Sequence, residues 1–267
     1  MQKQQAILGA IAGDVIGSTY EFSNVKSTDF ELFTRETYFT DDSVMTIAAM
    51  DVLLNKLNYT ETYQKYGRIY SKRGYGGNFE DWLYEDNPQP YNSWGNGSAM
   101  RASPIGWYCK SIQAVMEEAK KSAEVSHNHP EGIKGAQAVA AAVFLARTGK
   151  TKGEIKEFIT KTFDYNLDRT LDEIRPDYKF EVSCQKSVPE AIIAFLESSD
   201  YKSAVRLAVS IGGDSDTIAC ISGAIAEAFY GEIPGEIFDT VSMIVGPDLM
   251  RGVIRPFSRK YGISEKG

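Results

Sequence analysis

The sequence predicts an all-α fold. Apolar residues recur at three- and four-residue spacings through most of the chain, and no strand–helix–strand rhythm interrupts them. Strand signals are thin: only 178–183 (YKFEVS) alternates, and it reads equally as a short strand or an extended connection. At 267 residues the chain can bury a large core, and no linker or low-complexity tract divides it, so residues 1–267 are expected to form one domain.

Taken in order, 5–20 is rich in Ala, Ile and Gly, a composition suited to close helix–helix packing. Helical spacing then marks 42–57, 111–125, 130–147, 153–163, 188–196, 201–209, 216–230 and 237–245, about nine helices in all. Pro130 and Pro189 suit the first turns of their helices, and Gly149 and Gly231 suit helix stops. One long stretch, 73–107, resists the helical reading. Its glycines and interleaved aromatics suggest a ligand-binding loop rather than a plain surface connection.

Bulk composition narrows the function classes. Apolar (43%) and charged (24%) fractions are ordinary for a globular protein. A net charge of −7 repels polyanions, so neither nucleic acid nor an anionic membrane is an expected partner, although a local basic pocket for a small phosphate ligand stays compatible. Cys109, Cys184 and Cys220 form no CxxC pair, which argues against a disulfide framework or a zinc knuckle and for reduced thiols in a cytoplasmic protein. The first apolar run is broken by Asp14, is too short to span a bilayer and lacks a cleavage signal, so a cytoplasmic location is expected.

Two acidic motifs stand out, FTDDS (Thr40, Asp41, Asp42) and GGDSDT (Asp214, Asp216, Thr217), each just before an apolar helix. Either alone reads as a helix N-cap, since helix starts favour Asp, Ser, Thr and negative charge. A cap needs one acceptor oxygen, whereas the pair supplies four carboxylates and two threonine hydroxyls. If the two motifs converge, hard divalent cations would neutralise the repulsion, and four acids could bridge two Mg²⁺ or Mn²⁺ ions. Two histidines and scattered cysteines make zinc a poor alternative. Glu21 follows the Gly-rich first helix, with Asp14 two turns earlier on nearly the same face. Beside an acidic metal centre Glu21 becomes a candidate ligand or general base.

The stretch WGNGSAMR offers a turn, Gly95–Asn96–Gly97, whose N–H groups could face an anion at the start of a short helix. Arg101 either adds charge to the same anion or pairs with a structural acid. Walker spacing and GxGxxG are both absent. Both histidines, His127 and His129, stand in SHNHP, an exposed-looking polar stretch before a helix, and are candidates for substrate contact or proton handling.

In this order, GAIAGDVIGSTYEF, FTDDS, GNGSAMR, SHNHPEGIKGA and GGDSDTIA resemble the ADP-ribosylglycohydrolase family, over about Ile7 to Gly231. The resemblance implies a compact orthogonal multi-helix bundle with long functional loops around an acidic cleft holding two Mg²⁺ or Mn²⁺ ions. It implies hydrolysis of the bond between C1″ of ADP-ribose and an acceptor, on an ADP-ribosylated protein or small molecule. Thr40, Asp41 and Asp42 match the first metal motif, and Asp214, Asp216 and Thr217 the second. Glu21 matches an acid that helps activate water, and Asp41 and Asp216 share its catalytic candidacy. Gly95, Asn96, Gly97, Ser98, Ala99 and Met100 match a loop that wraps the diphosphate and distal ribose, and His127 matches a histidine of the cleft. An additional aspartate of the arginine-specific branch has no clean match among Asn78, Glu80 and Asp81, so that position is unassigned. An ADP-ribose-binding module without turnover and a binuclear-metal phosphohydrolase are the alternatives.

Overall fold

The computed structural model describes residues 6–262. Among them the regular structure is helical, save one antiparallel bridge between Gly95 and Ser183. The helices are α1 Gly9–Gly17, α2 Asp41–Asn55, α3 Tyr59–Ile69, α4 Gly77–Tyr84, α5 Gly97–Met100, α6 Ser103–Tyr108, α7 Ile112–Glu124 and α8 Pro130–Arg147. They continue with α9 Lys152–Phe163, α10 Leu171–Ile174, α11 Cys184–Glu197, α12 Tyr201–Ser210, α13 Ser215–Tyr230, α14 Gly235–Val245, α15 Pro247–Leu249 and α16 Arg255–Tyr261. A 3₁₀ turn, Ser18–Tyr20, extends α1, and a π turn, Met250–Ile254, joins α15 to α16.

The crossing of α1 and α13 positions the site. Gly9, Gly13 and Gly17 repeat every four residues and line one face of α1. A Cβ on Gly13 would lie 2.0 Å from the Ala219 carbonyl oxygen, and one on Gly17 would lie 2.5 Å from Asp216 Cα. Gly223 of α13 reciprocates, since its Cβ would lie 2.5 Å from the Gly9 carbonyl oxygen. Backbone therefore meets backbone, and the start of α13 comes to rest beside the end of α1. At its other end, α1 is capped by Glu227 of α13, which accepts from the N–H groups of Leu8 (2.9 Å) and Gly9 (2.7 Å). This capping explains why the helix begins at Gly9 rather than at the expected residue 5, which itself lies outside the described residues.

One continuous core runs from Ala6 to Phe257, with most of α2 and nearly all of α13 buried, and α8 buried over most of its second half. The structure adds α3, whose inward face is built from Tyr59, Tyr63 and Tyr66. Three short helices, α4, α5 and α6, replace the irregular reading of 73–107. In α11 the helix starts at Cys184, so Pro189 lies inside it rather than in a first turn. The added turn is held by Cys184 N–H donating to the Trp94 carbonyl (2.9 Å) and by the Ser187 hydroxyl donating to the Ser183 carbonyl (2.8 Å). Residues 178–182 form no strand; the segment is tied to the Gly95–Asn96 turn by Asn96 N–H donating to the Val182 carbonyl at 2.8 Å. All three cysteines are buried and unpaired. No helix among the described residues is long and apolar enough to cross a membrane.

Candidate active site

A cavity of about 450 Å³, within the range of small-molecule sites, is lined by residues from the starts of α2, α4, α5 and α13. One end is acidic, with Glu21, Asp41, Asp42, Asp214, Asp216 and Thr217 on its wall. The start of α2 supplies Asp41 and Asp42, and the start of α13 supplies Asp216 and Thr217. Two consecutive glycines with positive φ, Gly212 (73°) and Gly213 (74°), turn the chain into α13 and bring Asp214 round.

Asp14 organises this end from below. Fully buried, it accepts from Thr40 N–H (3.0 Å), the Thr40 hydroxyl (2.6 Å), Ser43 N–H (3.1 Å) and the Ser43 hydroxyl. Thr40 also caps α2, accepting from Asp42 N–H at 3.2 Å, so the cap reading of FTDDS holds for the threonine and leaves both aspartates for other work. The Thr217 hydroxyl donates to Asp42 Oδ2 at 3.1 Å, while Asp42 Oδ1 is buried and accepts no hydrogen bond among the described residues.

Burial and mutual repulsion push every one of these acids up. Burial raises Asp14 to about 6 and Asp214 to about 6. Glu21 is pushed up to about 8 by burial, then by the charges of Asp216 and Asp14. Asp41, Asp42 and Asp216 are raised well above the usual carboxylate range, by burial and by one another. None of the ion pairs found among the described residues reaches any of them.

The donor set suits a hard divalent cation. Asp14, Asp42 and Asp216 each place an oxygen within 4.8 Å of the others, and so do Glu21, Asp214 and Asp216. Asp216 is common to both groups. Asp41 lines the cavity but belongs to neither.

The opposite end is aromatic, lined by Phe79, Tyr91, His127 and the Gly95–Asn96–Gly97 turn, with Arg101 behind. At the mouth, Phe22 (81% exposed) and Phe180 (51% exposed) stack with ring centroids 6.1 Å apart. Asn96 lines this end as well; its backbone N–H donates to the Val182 carbonyl, and its side chain donates to Asp214 Oδ2 at 2.7 Å and links the two ends. Ser98 and Ala99 do not line the cavity. The Ser98 hydroxyl bonds the Gly132 carbonyl at 2.7 Å, and Ala99 is packed in the core. Gly95, Gly97 and Met100 do line it.

The exposed reading of SHNHP fails at Ser126 and His127, which are buried, and holds at Asn128 and Pro130, with His129 half-buried between them. His127 is buried, and burial followed by the charge of Arg101 holds its ring well below the ordinary histidine value. His129 caps α8, its Nδ1 accepting from Glu131 N–H at 3.1 Å. Among the described residues Arg101 pairs with no acid: it is fully buried and donates to the Ser122 carbonyl and the Ser126 hydroxyl. Of the three residues left unassigned, only Asn78 lines the cavity.

Two supporting residues carried no sequence signal. Asn24 Nδ2 donates to the carbonyls of Tyr20, Glu21 and Gly213, and its Oδ1 accepts from Gly213 N–H at 2.8 Å. Lys26 Nζ donates to the carbonyls of Ile211 and Tyr178. Together they tie the Glu21 loop, the diglycine turn and the 178–182 segment into one wall. Asp14, by contrast, had a signal, because an acid inside an Ala/Gly/Ile helix needs buried donors.

Comparison with known proteins gives the family. A family model described as ADP-ribosylglycohydrolase aligns with residues 4–260. The chain is 30% identical to the ADP-ribosylhydrolase ARH3 of Mus musculus over 305 aligned positions, covering 84% of this chain and 82% of that protein. It is 25% identical to the ADP-ribosylarginine hydrolase Tri1 of Pseudomonas putida (strain GB-1) over 261 positions, covering 85% and 70% respectively. A solved structure described as an ADP-ribosylglycohydrolase-related protein complex superposes with a TM-score of 0.74 over 97% of each chain at 19% identity, which shows the shared fold. With a family model spanning nearly the whole length, the chain belongs to the ADP-ribosylglycohydrolase family, a family of hydrolases.

Proposed function

We propose that this enzyme hydrolyses the C1″ glycosidic bond between ADP-ribose and an acceptor and releases ADP-ribose. The observation that carries the reading is the two-ended cavity: clustered carboxylates at one end, a glycine turn with aromatic rings and a buried cation at the other. The names of the relatives, an ADP-ribosylhydrolase and an ADP-ribosylarginine hydrolase, support the substrate class.

In this reading Asp14, Asp42 and Asp216 would hold one Mg²⁺ or Mn²⁺ ion, and Glu21, Asp214 and Asp216 a second, with the Thr40 and Thr217 hydroxyls beside these carboxylates. When bound, such ions polarise ribose hydroxyls and water. The protein supplies the rest. Its carboxylates favour the positive charge that develops on the ribose as the C1″ bond breaks. Glu21, half-buried on the cavity wall, takes the proton from the attacking water, with Asp41 and Asp216 as neighbouring carboxylates. The turn at Gly95–Gly97, with Met100 and His127, holds the diphosphate and distal ribose. On the acceptor side the wall is Phe22, Phe180 and the neutral amide of Asn78, and no acid from α4 joins them.

Product identity tests the reading. The protein is incubated with Mg²⁺ or Mn²⁺, with and without chelator, against arginine-linked, serine-linked, acetyl-linked and nucleobase-linked ADP-ribose. Free ADP-ribose that disappears with chelator is the expected result. Bound but intact substrate would make the protein an ADP-ribose-binding module, and AMP with ribose phosphate would make it a phosphohydrolase.

A further inference from the structure

A relay of three side chains runs from the core to the aromatic end of the cavity. The Arg101 guanidinium lies 4.5 Å from the Tyr63 ring centroid and 5.5 Å from that of Phe79, and among the described residues it forms no ion pair. Its Nη2 donates to the Ser126 hydroxyl at 2.8 Å, and that hydroxyl lies 2.8 Å from His127 Nδ1.

Donor counting fixes the direction of the relay. Arginine has only donors, so the Ser126 oxygen accepts from it. Ser126 is fully buried, and among the described residues its one proton has a single acceptor within reach, Nδ1 of His127. A proton on Nδ1 would leave the serine proton buried without a partner. The ring is neutral, because a second cation beside Arg101 in a buried place is disfavoured. Its proton therefore sits on Nε2. That atom faces the glycine turn: a Cβ on Gly97 would lie 3.1 Å from it and one on Gly95 3.6 Å. No hydrogen bond from a described residue occupies it.

We propose that Arg101, acting through Ser126, is a positioning residue that fixes His127 as the Nε2–H tautomer, so the cavity presents one neutral donor to an oxygen of the ligand. That the ligand is ADP-ribose rests on the function proposed above; the tautomer does not. Gly97 follows from the same geometry, since any side chain there would press on the donor.

The whole chain labelled with ¹⁵N tests this directly. It has only two histidines, and His129→Asn, which keeps a capping side chain, assigns the remaining imidazole. Long-range ¹H–¹⁵N spectra are expected to show Nδ1 of His127 unprotonated and Nε2 protonated. In Ser126→Ala the fixed tautomer gives way to a mixture and ADP-ribose, titrated calorimetrically, binds about tenfold more weakly, whereas Ser126→Thr restores both. A wild-type spectrum with the proton on Nδ1, or with a charged ring, overturns the proposal whether or not any variant folds. Undiminished ADP-ribose affinity in a folded Ser126→Ala overturns the donor role. If the wild type binds no ADP-ribose the proposed function fails, and the wild-type spectrum still decides the tautomer.

Discussion

The two ends of α1 each meet buried carboxylates, and the two sites differ in what those carboxylates face. At the N-terminal end Glu227 directs both oxygens at backbone N–H groups, those of Leu8 and Gly9. Beyond the C-terminal end, Asp42, Asp214, Asp216 and Glu21 cluster together, and among the described residues no hydrogen bond reaches Asp42 Oδ1. An acid surrounded by N–H donors is a helix cap. Acids aimed at one another are a site waiting for positive charge, and folding does not benefit from keeping them so.

The sharpest way to break this contrast is Asp216→Asn, since Asp216 belongs to both acidic groups. Cation binding by calorimetry is expected to vanish and ADP-ribose release to fall about 10³-fold, while the melting temperature in chelator rises as repulsion is relieved. A lower melting temperature would make Asp216 a structural acid like Glu227. The converse change, Glu227→Ala, orphans two buried N–H groups and should cost about 3 kcal/mol of unfolding free energy while leaving cation affinity untouched. Weakened cation binding in that variant would show the two ends of α1 to be coupled.

A pH series sharpens the comparison further. Burial pushes the Glu227 carboxyl up to about 7, above its ordinary 4.5, so the folded chain binds that proton more tightly than the unfolded one. Its contribution is complete below pH 4.5 and is lost as the pH rises through about 7, a change of about 3 kcal/mol that Glu227→Gln should remove from denaturant-unfolding curves. The smallest expected effect is at the link between the cavity ends. Asn96→Ala frees Asp214 and should weaken cation binding about tenfold with little change in stability. An unchanged affinity would mean that Asp214 needs no such support.

The helices legible in the sequence were those with aliphatic stripes. The helix α3 escaped because its buried face is tyrosine, a residue whose polar tip blurs the apolar period. Within 73–107, glycines and prolines masked helices of one or two turns that tertiary contacts hold in place. Both acidic motifs were visible as an excess of charge over what a cap needs, and the structure brings them together. The importance of Asp14 lay in hydroxyls and amides of α2 far along the chain, and that of Asn24 and Lys26 in carbonyls contributed by other segments. Such partners leave no local pattern. Local polarity misled at His127, whose ring is buried against Phe79 of α4 and Tyr91, both far from it in the chain.

The glycine face of α1 has a consequence for how such an enzyme can change. Contact between two main chains has no rotamers to readjust, so the spacing from Asp14 to Asp216 is insulated from side-chain drift elsewhere in the core. Phe22, Asn78 and Phe180 stand on connecting segments or at a helix start, outside that crossing. The molecule thus separates a rigid gauge from a replaceable jaw, and substitutions at the rim can alter what the cavity admits without resetting the distance between its carboxylates.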